Sequence, residues 1–239
     1  MTKMTEMHEI KQAERIQTSF INALEHKALV WLARRQPRWV TSDLLTVVGT
    51  VGAFLTGLGF YLTRFDIEWL WLSVVGLGIN WYGDSLDGTL ARVRNRQRPL
   101  SGYYLDHTVD CINEALMFVG AGLSPLVHLD MALAVFILYL VMTINVSINA
   151  HLKSEFRLTY AKLGPTEFRI LIALGCLTVI LFPSLAEYRM TISVAGHGGE
   201  FTMLDMLTFV IIALLTAIYI SSVVSDARHY SRVDPPKKN

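Results

Sequence analysis

Four aspartates lie close together in the stretch GDSLDGTLARVRNRQRPLSGYYLDHTVDCIN, which covers residues 83–113. They are Asp84, Asp87, Asp106 and Asp110. Residues three or four apart on a helix share one face, so Asp84 pairs with Asp87 and Asp106 pairs with Asp110. If the two helical faces meet, they form one cluster of four carboxylates.

Such a cluster is costly at partial membrane depth, because like charges repel each other and burial adds a desolvation cost. Divalent cations remove this cost. Hard oxygen ligands, without His or Cys at ligand spacing, favour Mg²⁺ or Mn²⁺, which also keep waters or substrate phosphates as ligands. The alternative is a structural cluster neutralised by salt bridges.

The residues beside the second aspartate narrow the chemistry. Gly88 and Ala91 are small, so they leave room for a ligand against the backbone, and Arg92 adds a fixed positive charge. Together these features favour a metal-bound pyrophosphate, whose charge arginine and cations share. Taken singly, Gly88 and Ala91 are ordinary packing residues.

The segments that must position these residues are apolar. The chain has 239 residues, a mean hydropathy of +0.40 and a net charge of +1, which are typical of a membrane protein with several spans and not of a nucleic-acid binder. Runs long enough to cross a bilayer lie at about 44–62, 67–82, 102–126, 131–150, 168–182 and 203–224. The second run is short unless its polar end, with Asp84 and Asp87, is also helical.

Because a span satisfies its backbone in lipid only as a helix or in a closed barrel, and no period-2 alternation is present, the sequence predicts an all-α bundle of six transmembrane helices. Cys111 and Cys176 lie in apolar runs and are expected to be buried thiols.

Basic residues set the orientation. They cluster before span one and after spans two, four and six, whereas the other loops hold chiefly Arg64 and Arg189. The positive-inside rule then puts both termini and the aspartates on the cytoplasmic side of the cytoplasmic membrane. We divide the chain into an N-terminal segment (1–40), a six-helix domain (41–225) and a cytoplasmic tail (226–239).

Residues 16–35, IQTSFINALEHKALVWLARR, predict an amphipathic helix. Its apolar residues recur at three- and four-residue steps, and Glu25 and Lys27 lie away from them. The apolar positions are Ile16, Phe20, Ala23, Leu24, Ala28 and Trp31. Such a helix suits the membrane interface, although a soluble helix packed on a partner would show the same pattern.

Span one carries small residues at four-residue steps, namely Gly49, Ala53 and Gly57. Such a stripe allows close helix packing, either inside the bundle or across a dimer seam. We expect a homodimer.

The spacing Asp84-x-x-Asp87-Gly88-x-x-Ala91-Arg92, nine residues, Gly102-x-x-x-Asp106-x-x-x-Asp110 resembles the signature of the CDP-alcohol phosphatidyltransferases. These enzymes join a phospho-alcohol to a second alcohol and release CMP. The six spans and the amphipathic N-terminal helix are similar as well. WVTSDLLT also resembles the family's Thr-Pro-Asn-x-x-Thr stretch, with Ser42 in place of proline and Asp43 in place of asparagine.

The resemblance implies a role for each signature residue. The four aspartates would hold two divalent cations on the diphosphate, and Asp110 would also be the general base on the acceptor hydroxyl. Gly88, Ala91 and Arg92 would form the CDP cradle, with Gly102 giving room beside it. The partners are then a CDP-linked substrate, for which CDP-diacylglycerol is favoured, an alcohol acceptor and membrane lipid.

Four further residues are candidates for an acceptor site or an auxiliary role: His107, Glu114, Glu167 and Arg169. His107 could assist proton transfer or simply pack. Chain length and six spans resemble members that use CDP-diacylglycerol. Gly-Pro-Thr-Glu at 164–167 and the Asp-His pair resemble members that use CDP-choline or CDP-ethanolamine.

Two functions of another class remain. Aspartates inside a membrane also line cation transporters, but these would spread polar ligands along a path toward the midplane, whereas here they cluster at the ends of two spans. An intramembrane protease with two aspartates would leave the other two unexplained.

Overall fold

The computed structural model describes residues 14–16, 22–153, 155–157, 165–194 and 197–235. These residues are mainly helical, and a single 3-10 turn, Ile67–Trp69, precedes the third helix. The α-helices are α1 (Asn22–Arg35), α2 (Ser42–Leu62), α3 (Leu70–Val93), α4 (Ser101–Gly122), α5 (Leu129–Lys153), α6 (Pro165–Leu181), α7 (Ser184–Glu187) and α8 (Met203–Val233).

The six long helices α2, α3, α4, α5, α6 and α8 coincide with the six runs that the sequence predicts. Within the part of the chain that the structure describes, three stretches are long and apolar enough to cross a membrane: Ser42–Leu62, Leu129–Asn149 and Met203–Val233. The helical membrane class is therefore confirmed, whereas a crossing by α3, α4 and α6 stays a prediction. α3 continues as a helix through the polar end that holds Asp84 and Asp87, which is the condition for its apolar run to be long enough for a span. α8 extends beyond residue 224, the expected end of span six.

Four short strands accompany the helices. β1 (Glu14–Ile16) pairs in parallel with β2 (Glu155–Arg157), and β3 (Arg189–Val194) pairs antiparallel with β4 (His197–Thr202). Ile16 was expected in the amphipathic helix, and this is wrong: it pairs in β1, and α1 begins at Asn22. Phe20 lies outside the described residues. The β-branched residues of β3 suit a strand, but strands this short carry little periodic signal.

α2 is in contact with both α3 and α4 at glycines. A side-chain carbon at Gly83 would collide with the backbone of Gly49, and one at Gly120 would collide with the backbone of Gly57. Ala53, between these contacts, is fully buried. The small-residue stripe of span one therefore packs inside the bundle, and its glycines allow the helix backbones to approach closely.

α1 packs on α3 through a face different from its predicted apolar stripe. Leu29 is buried in one cluster with Leu86 and Leu90 of α3. Leu24 and Trp31 of the predicted stripe are 73% and 54% exposed. α1 thus has one face held by the bundle and a second apolar face directed away from it, as an interfacial helix requires.

The start of α8 is fixed by a capping box, in which the Thr202 hydroxyl accepts a hydrogen bond from the Asp205 backbone N–H and the Asp205 carboxylate accepts one from the Thr202 backbone N–H. Asp205 is fully buried and also accepts from the backbone N–H of His128, at 2.8 Å. This carboxylate therefore ties the α4–α5 connection to α8.

Candidate active site

Two helices bring three of the four signature aspartates together. Asp84 of α3 and Asp106 and Asp110 of α4 each offer a carboxylate oxygen, and these three oxygens all lie within 4.8 Å of one another. Each residue is half-buried. Asn95, just after α3, has a φ of 53°, and this left-handed conformation, which asparagine tolerates, ends the helix before the chain turns toward α4.

One positive charge reaches this cluster from α6. The Arg169 Nη2 donates a hydrogen bond to the Asp84 Oδ2 at 2.5 Å, and the two side chains are only 16% and 20% exposed. Opposite charges that are this close together and largely shielded from bulk water attract each other strongly. Arg169 therefore offsets part of the repulsion among the carboxylates. Glu167, also in the first turns of α6, is buried.

Asp87 is held against α2. Its Oδ2 accepts a hydrogen bond from the Thr46 hydroxyl at 2.7 Å, and its Oδ1 accepts one from the backbone N–H of Gly88. The Ser42 hydroxyl donates to the backbone carbonyl of Asp87 at 2.9 Å. Asp87 is 7% exposed. Both carboxylate oxygens of Asp87 therefore have protein partners. The group of three carboxylates that could hold a metal ion consists of the other signature aspartates.

The residues expected to form the nucleotide cradle leave the backbone open. A side-chain carbon at Gly88 would meet only Arg92, with the Nη1 at 3.5 Å, and one at Gly102 would meet only the Cβ of Arg98, at 3.8 Å. Ala91 is half-buried on the same helix. The Arg92 Nη2 donates to the Thr89 hydroxyl at 3.0 Å, which directs its guanidinium along α3. A ligand could thus lie against this part of the backbone.

The two auxiliary candidates on α4 differ. The His107 Nδ1 lies 3.1 Å from the Tyr103 carbonyl oxygen and 3.8 Å from the Asp106 Oδ2. Its ring lies 4.1 Å from that of Tyr103, so contacts within its own helix orient it. Glu114 lies one turn beyond Asp110, and its Oε2 is buried with no hydrogen-bond partner among the described residues. A buried, unpaired carboxylate oxygen next to the cluster adds an oxygen donor to the site.

Sequence reasoning missed the contribution of α2. Thr46 and Ser42 hold Asp87 from the stretch that resembles Thr-Pro-Asn-x-x-Thr, and Asp43 of the same stretch forms an ion pair with Arg98, in the α3–α4 connection. The match of Thr46 to the last threonine of that pattern was a usable signal. Ser42 in place of proline and Asp43 in place of asparagine weaken this match.

The donor set fits a hard divalent cation. Three carboxylates have oxygens within 4.8 Å of one another, and a further unpaired carboxylate oxygen lies nearby. Such oxygen ligands are those that Mg²⁺ and Mn²⁺ prefer. The single guanidinium of Arg169 does not neutralise them all.

Comparison with known proteins agrees with this geometry. Residues 39–218 match the CDP-alcohol phosphatidyltransferase family. A phosphatidylinositol phosphate synthase of Cutibacterium acnes is 37% identical over 84 residues, which are 35% of this chain and 38% of that protein. An archaetidylinositol phosphate synthase of Pyrococcus horikoshii is 32% identical over 91 residues, which are 38% of this chain and 45% of that protein. Each similarity thus spans less than half of the relative.

Apolar helices of this length are typical of a membrane protein, and three carboxylates from two of the helices form a group that could hold a metal ion. The family match covers most of the chain. The chain belongs to the CDP-alcohol phosphatidyltransferase family, whose members are transferases of phospholipid synthesis that use a divalent metal ion.

Proposed function

We propose that this protein transfers a phosphatidyl group from CDP-diacylglycerol to the hydroxyl of an alcohol and releases CMP. The observation that supports this most is the meeting of both halves of the signature: Asp84 from the first half lies with Asp106 and Asp110 from the second. A carboxylate cluster beside an open stretch of backbone and an arginine suits a metal-bound diphosphate.

Each signature residue has a role in this proposal. Asp84, Asp87, Asp106 and Asp110 hold two divalent cations, Mg²⁺ or Mn²⁺, and Gly88, Ala91, Arg92 and Gly102 receive the CDP group. When bound, the cations supply positive charge that neutralises the diphosphate and stabilises its developing charge. Thr46 and the Gly88 N–H fix the Asp87 carboxylate, so its orientation precedes substrate binding.

The reaction is a direct displacement at the β-phosphorus. The acceptor hydroxyl oxygen forms the new P–O bond while its proton passes to Asp110. The bond from the β-phosphorus to the bridging oxygen breaks, and CMP leaves with that electron pair. No nucleophile from the protein is needed. His107 follows Asp106 directly, and Glu114 lies one turn beyond Asp110. We assign them auxiliary roles in proton transfer and in orienting the base.

The acceptor is an inositol phosphate in this proposal. Both relatives are named as synthases of inositol phosphate lipids. An anionic acceptor needs a positive group near the cluster, and Arg169 supplies one at the start of α6, beside buried Glu167. A guanidinium binds a phosphate through two parallel hydrogen bonds, so Arg169 would be the donor to the acceptor phosphate, while the cations would supply positive charge beside Asp84.

The basic clusters put this site on the cytoplasmic side of the cytoplasmic membrane, with both termini on that side. The enzyme acts as a homodimer in our proposal. Because the glycine face of α2 packs inside the bundle, the dimer contact would use another face of the protein.

The test is CMP release by the purified protein in detergent with Mg²⁺. CDP-diacylglycerol is supplied with inositol phosphate, glycerol phosphate or serine, and CDP-choline or CDP-ethanolamine is supplied with diacylglycerol. We expect release with CDP-diacylglycerol and inositol phosphate, loss of release in Asp106→Asn, and normal release in Asp130→Asn, which changes an exposed carboxylate at the start of α5. Release only with a CDP-amino alcohol would move the protein to the other branch of the family.

A further inference from the structure

A buried glutamate outside the signature links three helices. Glu25 of α1 is 9% exposed, and its Oε1 accepts hydrogen bonds from the Trp81 Nε1 at 2.8 Å and from the Thr166 hydroxyl at 2.6 Å. Trp81 belongs to α3 and Thr166 to α6. A buried carboxylate oxygen with two donors from two other helices fixes the relative positions of those helices, because loss of either bond leaves a buried polar group unsatisfied.

These contacts lie close to the carboxylate cluster along both helices. Thr166 is three residues before Arg169, and Trp81 is three residues before Asp84. Residues three apart lie on neighbouring parts of one helical face. Glu25 therefore joins α3 and α6 one turn away from the place where Arg169 donates to Asp84 at 2.5 Å.

α1 is also held on α3 without Glu25. The Gln36 Nε2 donates to the Tyr82 hydroxyl at 2.7 Å, and Leu29 packs against Leu86 and Leu90. These contacts do not involve α6. Loss of the Glu25 carboxylate would thus leave α1 packed on α3 but remove the hydrogen bond to α6. A variant at Glu25 can therefore test a local effect on Arg169 without detaching α1 from the bundle.

We propose that Glu25 is a positioning residue for the transferase reaction: by binding Thr166 and Trp81 at once, it sets the Arg169 guanidinium relative to Asp84 and so tunes binding of the anionic acceptor. This inference rests on the proposed function, in which Arg169 binds the acceptor phosphate. Displacement of a positioned group by about 1 Å can cost as much as 10²-fold in rate, so a modest shift of α6 is sufficient to be measured.

The test compares Glu25→Ala, Thr166→Val and the double variant with the control Gln36→Ala. We expect the KM for inositol phosphate to rise about tenfold in Glu25→Ala and in Thr166→Val. This is less than the cost of about 10²-fold that displacement of a positioned group by about 1 Å can reach. The double variant should be no worse than Glu25→Ala alone, since Glu25→Ala already removes the hydrogen bond to Thr166. The affinity for CDP with Mg²⁺ should stay within about twofold, because the cradle residues lie on α3 and α4 and not on α6. Gln36→Ala should change neither constant, and Glu25→Gln, which keeps the oxygen acceptor, should recover most of the loss.

A second measurement does not depend on turnover. Amide hydrogen exchange at residues 166–170 should accelerate in Glu25→Ala and Thr166→Val but not in Gln36→Ala. An unchanged acceptor KM and unchanged exchange in Glu25→Ala would overturn the proposal, as would additive losses in the double variant. If the wild-type protein releases no CMP with any acceptor, the proposed function fails, and the exchange experiment still decides whether Glu25 fixes α6.

Discussion

The hydroxyl of Thr46 offers a direct test of how α2 serves the active site. Thr46→Val keeps the shape of the side chain but removes the donor that lies 2.7 Å from the Asp87 Oδ2. The hydroxyl has one proton, and its other acceptor, the Ser42 carbonyl, is more distant at 3.1 Å. Because Asp87 is 7% exposed, water cannot readily replace the lost bond.

A hydrogen bond to a charged group contributes about 1.5–3 kcal/mol, and its loss also leaves a buried oxygen unsatisfied. If that energy supports the orientation of Asp87 for metal and nucleotide, the affinity for CDP with Mg²⁺ should fall about 10- to 150-fold, since 1.4 kcal/mol corresponds to a factor of about ten. Loss of a group that orients a metal ligand typically costs about 10- to 100-fold in affinity, which agrees with this range.

The measurement is isothermal titration calorimetry of the detergent-purified protein with CDP in Mg²⁺. Thr50→Val is the matched control, because Thr50 lies one turn further along α2 and its hydroxyl donates only to the Thr46 carbonyl, at 3.2 Å. We expect Thr50→Val to bind CDP like the wild type. Equal or tighter binding by Thr46→Val would refute the reasoning, since the hydroxyl would then not support a binding orientation of Asp87.

Four further outcomes are expected. Excess EDTA should abolish CMP release and Mg²⁺ or Mn²⁺ should restore it, because carboxylates alone repel a diphosphate; activity in EDTA would contradict the metal site. Asp110→Asn should lose about 10²- to 10⁴-fold in turnover yet still bind CDP in a thermal-shift titration, and near-normal turnover would place the base elsewhere. Gly120→Ala should lower the Tm, since its new carbon meets the Gly57 backbone, whereas Gly78→Ala, with open space around it, should not. An impermeant maleimide should label Gln97→Cys from the cytoplasmic side only, and labelling in intact cells would reverse the orientation.

Much of the helical layout follows from local properties of the chain. The six long helices match the apolar runs. The extension of α3 through Asp84 and Asp87 is what a crossing of the bilayer by this short apolar run would require. The pairing of Asp106 with Asp110 on one face depends only on helical periodicity. Ile16, which was expected in a helix, stands at the start of the amphipathic pattern. There its pairing with β2 outweighs the local preference for a helix.

Contacts between helices could not be deduced in the same way. The sequence allows four aspartates to meet, but Asp87 is bound by Thr46, which is 41 residues away, while the other three form the compact group. The small-residue stripe allowed packing either inside the bundle or between subunits. The close approach of Gly57 to Gly120 shows that the stripe packs inside the bundle.

The sequence by itself therefore determined which residues could do the chemistry, because residue type and spacing on a helix are local. Tertiary structure alone decided what surrounds them. The hydrogen bond from Arg169 to Asp84 depends on how α3 and α6 pack. Glu25, which the sequence pattern put away from the apolar face, is buried because α1 contacts both of these helices. Periodicity fixes the direction of a side chain relative to its own helix axis. It does not fix which neighbouring helix that side chain will meet.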